Sequence, residues 1–93
     1  MIRSFKGKTS EAVSKGQAPK GFPSDLVRSA QRKLFMLDNA AELSDLMTPP
    51  GNRLEALKGK RAGQHSIRIN DQFRVCFRWA DGQAEDVEIT DYH

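Results

Sequence analysis

The stretch "FRVCFRWADGQAEDVEIT", residues 73–90, decides the fold. Phe73, Val75, Phe77 and Trp79 alternate with Arg74, Cys76 and Arg78. A period of two marks a strand with one buried and one wet face. "ADGQ" (80–83) then supplies an Asp-Gly pair, which suits the positive φ angles of a tight hairpin turn. Val87 and Ile89 alternate with Asp86, Glu88 and Thr90, so a second strand over 86–90 folds back on the first. Parity groups Cys76 with two arginines and predicts a half-exposed thiol. The same parity assigns Phe77 and Trp79 to the core rather than to a base-stacking surface.

The same logic extends upstream. "HSIRIN" (65–70) puts Ile67 and Ile69 on one side and Arg68 and Asn70 on the other, and "IND" (69–71) is a further turn signal. His65 shares parity with Ile67, which predicts a structural role. "RLEALKG" (53–59) offers Leu54 and Leu57 around Glu55 and Lys58. Consecutive strands joined by short turns pair antiparallel.

"TPPGN" (48–52) separates this half from a helical one. Leu26, Val27, Ala30, Leu34 and Leu37 recur at helical spacing. Ser24 reads as the N-cap of a helix over 24–37, with Asp25 in the first turn, where negative charge suits the helix dipole. Asn39 and Glu42 resemble a capping box for a short helix, "AAELSDLM" (40–47). "KTSEAVSKG" (8–16) reads as another short helix closed by Gly16, and "IRSF" (2–5) as a first strand. The predicted fold is α+β: a mostly antiparallel β-sheet with an N-terminal strand and two to three helices packed on one face. Its other face is polar and open. At 93 residues the chain is expected to form a single domain, 1–93. Residues 6–22, rich in Lys and Gly, are a candidate mobile segment.

Composition sets the class. With 38% hydrophobic and 29% charged residues the chain is of the ordinary soluble globular type. No apolar run approaches the roughly 18 residues of a membrane span, and "MIRSFKGKTSEAV" lacks the apolar stretch of a secretory signal. One cysteine forms no internal disulfide. Together these predict a cytoplasmic protein with no membrane partner. The net charge of +3 conceals an uneven distribution. Arg53 to Arg78 hold seven Arg or Lys against Glu55 and Asp71, whereas Trp79 to His93 hold five acids and no Lys or Arg. Such a split suits either a polyanion-binding face or a solvated sheet with offsetting charges.

No metal-ligand spacing and no phosphate loop occur, so no cofactor is expected. What remains is a set of polar residues on different strands: Glu55, Lys58, Arg68, Arg74, Tyr92 and His93. Each alone reads as wet surface. The set carries chemistry only if the sheet brings its members together.

At this point the whole chain resembles a known family, the HigB branch of the RelE/ParE toxin superfamily. "MIRSF" is similar to a HigB opening, and "VEITDYH" ends on the Tyr-His pair that closes many such toxins. Between them, "PPGNRLEALKG" and "GQHSIRINDQFR" resemble HigB-like and GraT-like toxins. The resemblance implies a microbial RNase-type fold with a concave, basic sheet face. It implies metal-independent cleavage of messenger RNA, usually in the ribosomal A site, by attack of the ribose 2′-OH on the adjacent phosphate. It also implies a HigA-like helix-turn-helix antitoxin as partner, the 70S ribosome and messenger RNA as targets, and operator DNA bound indirectly through the antitoxin.

Site residues follow residue by residue. Arg74 matches the strand arginine of "QFR", whose planar fork holds two phosphate oxygens. Lys58 matches the lysine of "LKG", and Arg68 a further basic position. His93 matches the terminal histidine, the general acid, with Asp91 and Tyr92 as substrate-binding neighbours. Glu55 stands where one HigB pattern has a His three residues before the lysine. The related YoeB branch carries a Glu there, read as the general base. Two other readings stay open: a ParE-like toxin that acts on DNA gyrase by protein contact alone, and a degenerate regulator bound to its antitoxin.

Overall fold

A computed structural model of the chain describes residues 1–91. Its regular elements are α1 (Lys8–Ser14), α2 (Val27–Asn39), β1 (Glu55–Ala56), β2 (His65–Arg68), β3 (Arg74–Ala80) and β4 (Gln83–Thr90), with short 3-10 turns between them. The strands form one four-stranded antiparallel sheet in the order β1-β2-β3-β4. This is the α+β meander expected from residues 53–90.

The core forms where the helical stripe meets the apolar parity of the strands. Val27, Ala30, Leu34 and Leu37 of α2 are buried together with Ile67, Val75, Phe77, Val87 and Ile89. His65 packs against Phe77 at 6.0 Å between ring centroids, the structural place its parity predicted. Residues 6–22, the candidate mobile stretch, contain α1, and Val13 of that helix is fully buried. Ser10 Oγ accepts the backbone N–H of Ile89 at 2.7 Å, which ties α1 to β4.

Several local readings shift. The segment 2–5 is not a regular strand: it pairs with β4 through two isolated parallel bridges, Ile2↔Ala84 and Phe5↔Val87. The cause lies in β4. Cys76 pairs with Glu88 but Arg78 pairs with Glu85, so one extra residue bulges out of β4. Asp86 takes φ 52 at that bulge, and its N–H is bonded by Ser4 Oγ at 2.9 Å. The bulge also lets β4 begin at Gln83, before the expected 86, and keeps both Ala84 and Val87 buried.

The long helix begins at Val27 rather than Ser24. Residues Ser24–Leu26 form a 3-10 turn after Pro23, and Ser24 makes no side-chain cap. The helix runs on to Asn39, whose Nδ2 donates back to Phe35 O at 2.8 Å instead of capping the next element. The capping box belongs to Glu42 and Asp45, at the head of a 3-10 turn over Leu43–Met47. β2 stops at Arg68 because Asn70 Oδ1 accepts from Gln72 N (2.9 Å) and Phe73 N (2.7 Å), which closes the turn by side chain.

Candidate active site

The polar face of the sheet carries a row of cross-strand neighbours. Glu55 pairs with Ser66, Ser66 with Cys76, and Cys76 with Glu88, so the four side chains share one face. The next row holds Arg68, Arg74 and Thr90. The alternation in the sequence dictates both rows.

Arg74 is fixed from three sides. Its Nε donates to Ser66 Oγ at 2.8 Å, and its Nη2 donates to Arg53 O at 2.7 Å. The same Nη2 lies 3.6 Å from Glu55 Oε1. The Arg74 side chain is 16% exposed and that of Glu55 54%, so an anchored cation stands beside an accessible carboxylate. The Arg53 carbonyl is aimed by a left-handed backbone, φ 46, which costs a non-glycine residue roughly 1–2 kcal/mol. Asn52 helps to hold it there. It is fully buried, its Nδ2 donates to Leu46 O at 3.1 Å and Thr48 O at 3.4 Å, and its Oδ1 accepts from Lys33 Nζ. Burial, with the charges of Arg32 and Arg68 adding to it, holds the Lys33 amine below the usual lysine range.

A second ion pair lies on the same face. Arg61 Nη1 donates to Glu88 Oε1 and to Gln64 Oε1, both at 3.2 Å. Arg61 sits in the 3-10 turn Gly59–Arg61 between β1 and β2, whereas Glu88 belongs to β4. The bridge therefore crosses β3 above Cys76. This explains why Cys76, expected to be half-exposed, is fully buried. Burial pushes its thiol up to about 11, against the opposing pull of Arg61 and Arg74.

The remaining sequence-selected residues are spread more widely. Lys58 is exposed just before the 59–61 turn. Arg68 faces Arg74 across the ladder, but its guanidinium pairs with Asp71. Asp91 Oδ2 accepts from Gln72 Nε2 at 3.0 Å, so Arg68 and Asp91 are each held by the turn that joins β2 to β3. Tyr92 and His93 lie outside the described residues. Glu55 and Arg74 are thus brought into direct contact. Ser66, Arg53, Arg61 and Glu88 were not selected from the sequence. Parity did place Glu88 on the polar face, but Ser66 has no distinctive residue type and no periodic signal marks Arg53 or Arg61.

The charge split also resolves. Arg78 pairs with Asp86 at 3.8 Å and Arg3 with Glu85 at 3.2 Å, so acids of the C-terminal stretch offset arginines of the sheet and of the N-terminus. Among the described residues no group of three or more His, Cys, Asp or Glu could hold a metal ion, and no helix is long and apolar enough to cross a membrane. A separate groove, lined by Ile2, Phe5, Leu34 and Phe35 with Arg28 and Arg32, contains none of the selected residues.

The chain is similar to known proteins in sequence and in fold. The HigB-like toxin family, described as the RelE-like toxin of type II toxin–antitoxin system HigB, matches residues 3–93. Toxin HigB-1 of Vibrio cholerae is 50% identical over 62 residues, which is 67% of this chain and 65% of that toxin. Endoribonuclease HigB of Proteus vulgaris is 31% identical over 93 residues, all of both chains. The fold also resembles a chain of the YoeB-YefM toxin–antitoxin complex from Staphylococcus aureus, with TM-score 0.62 and 17% identity, covering 100% of this chain and 98% of that one. A polar sheet face built on a RelE-like fold, and a family match over almost the whole length, lead to one conclusion: the chain belongs to the HigB family of RelE-like toxins of type II toxin–antitoxin systems.

Proposed function

We propose that this toxin is an endoribonuclease that cuts messenger RNA on the ribosome by transesterification. Its family and its full-length likeness to an endoribonuclease support the nuclease class. The observation that carries the mechanism is the contact between Glu55 and an immobilised Arg74, 3.6 Å apart on the polar face.

The reaction needs a base, a charge clamp and an acid. Glu55 takes the proton of the ribose 2′-OH as O2′ attacks phosphorus. Arg74, with its side chain already ordered, stabilises the charge that develops on the phosphate oxygens. Lys58 adds a second positive charge from the neighbouring turn. The P–O5′ bond breaks, and His93 gives a proton to the departing oxygen. The products are a 2′,3′-cyclic phosphate and a free 5′-OH. Arg68, Asp91 and Tyr92 bind the flanking RNA. The side chains alone supply the acid, the base and the charge, so no cofactor is invoked. The partners are a HigA-like helix-turn-helix antitoxin, the 70S ribosome with its messenger, and operator DNA reached through the antitoxin. The toxin acts in the cytoplasm.

Purified ribosomes programmed with messenger RNA provide the test. Wild-type protein should yield fragments with 2′,3′-cyclic phosphate ends. Arg74→Ala should slow cleavage by about 10²–10³-fold, and His93→Gln should act in the same direction. If both variants are folded and cut as fast as the wild type, the reading fails. Intact messenger together with a loss of DNA supercoiling would point instead to a toxin that acts on gyrase by contact.

A further inference from the structure

The bridge from Arg61 to Glu88 spans the polar face at the level of the Glu55–Ser66–Cys76 row. It is a second arginine–carboxylate pair beside that of Arg74 and Glu55, and it takes no part in the mechanism above. Its two side chains are 28% and 27% exposed, so it is neither buried like a core ion pair nor loose like a surface one. Gln64, the last residue before β2, also accepts from Arg61, which fixes the guanidinium from the side of its own turn. Nearby, Gly63 lies so close to Arg78 that a β-carbon there would stand 2.9 Å from Nη1. The 59–64 segment therefore brings Arg61 over the same face as Arg74 and sets its own backbone against Arg78.

We propose that Arg61 is a further RNA-phosphate-binding residue of this face, and that Glu88 occupies its guanidinium until a phosphate of the bound messenger displaces it. The argument rests on the nuclease reading above. A carboxylate and a phosphate present the same kind of acceptor to an arginine fork. A partly exposed pair in water holds weakly, so an incoming phosphate can displace the carboxylate. The Gln64 contact keeps Arg61 over the face after Glu88 lets go. Arg74 then serves the scissile phosphate and Arg61 a neighbouring one, which sets the path of the strand across β3. The buried thiol of Cys76 beneath provides an apolar, uncharged floor between the two arginines.

A strut and a clamp predict opposite effects of removing Glu88. The probe is a ribosome programmed with messenger RNA that is 2′-O-methylated and so cannot be cut. Toxin binding is titrated on it, while unmodified messenger is followed in parallel for cleavage by the wild type. Arg61→Gln should weaken binding about tenfold, with Arg61→Lys intermediate. Glu88→Gln should strengthen it by about two- to fivefold, because the competing carboxylate is gone. If Glu88→Gln weakens binding or leaves it unchanged, the pair is a structural strut and the proposal is overturned. Should Arg61→Gln fail to fold, the sign of the Glu88→Gln effect still decides. Absence of wild-type cleavage would overturn the nuclease reading and this inference with it. Normal cleavage with the wrong order of binding would overturn the inference alone.

Discussion

Ser66 Oγ accepts a hydrogen bond from Arg74 Nε at 2.8 Å, across neighbouring strands. Ser66 is fully buried, so this hydroxyl has no access to water. It serves to aim a guanidinium rather than to react. Ser66→Ala should cost about 1 kcal/mol in stability, the usual worth of one hydrogen bond. It should slow cleavage by more than that loss alone implies, since Arg74 then keeps only the Arg53 carbonyl and Glu55 as described partners. Denaturant unfolding together with single-turnover cleavage separates the two effects. An unchanged cleavage rate in a folded Ser66→Ala protein would show that Arg74 needs no such anchor.

Asn52 links the loop 48–52 to the site. Its buried amide ties Leu46 and Thr48 to the chain just before Arg53, whose carbonyl holds Arg74. Asn52→Ala strands these carbonyls and removes the acceptor of Lys33 Nζ. The expected loss is about 2–3 kcal/mol, read from denaturant unfolding. Asn52→Asp should be less damaging in one respect, since it keeps an acceptor for the Lys33 ammonium. A loss below about 0.5 kcal/mol for Asn52→Ala would mean that the loop holds its shape without the side chain.

The sheet was legible because buried Val75 and Phe77 of β3 alternate with Arg74 and Arg78, which keep some exposure, and only Cys76 departs from that alternation. The α2 stripe was legible for the corresponding reason at helical period. The start of α2 was less so, because Ser24 has the composition of a cap while the chain at Pro23 enters a tighter turn first. The bulge in β4 did leave a trace, since Ala84 and Val87 cannot share a face in an unbroken strand, but a small residue such as Ala84 gives a weak signal. The burial of Cys76 left no trace at all. It depends on Arg61 meeting Glu88, 27 positions away, and no local pattern encodes that contact. For the same reason Glu55 and Arg74 were legible only as members of a wider set of polar strand residues until family resemblance gave them roles, while Ser66 and Arg53, which hold Arg74, have no distinctive residue type.

Cys76 gives a pH signature. Its thiol is pushed from 9.0 up to about 11 by burial. The folded state thus holds the proton more tightly than the unfolded chain. The stabilisation is fully present below pH 9 and is lost as the pH rises from 9 through about 11. Cys76→Ala should remove this part of the alkaline decline. The check is the difference in unfolding free energy between wild type and variant across that window, which cancels the lysines common to both. The native thiol should also resist alkylation at neutral pH and react only when the protein unfolds. Rapid labelling of folded protein would show that the Arg61–Glu88 bridge does not cover it.

Removing Tyr92 and His93 tests whether the chain end is chemical or structural. The described core closes without them: Thr90 pairs with Arg74, Ile89 is bonded by Ser10, and Asp91 is held by Gln72. The truncated protein should therefore unfold within about 1 kcal/mol of the wild type, as changes away from buried groups usually do. Cleavage on programmed ribosomes should fall by at least about 10²-fold, the typical worth of a general acid. His93→Gln alone should reproduce most of that loss, and binding to the antitoxin should persist in both proteins. A truncated chain that is stable and still cleaves would remove His93 from the mechanism, whereas one that unfolds would make the tail structural first.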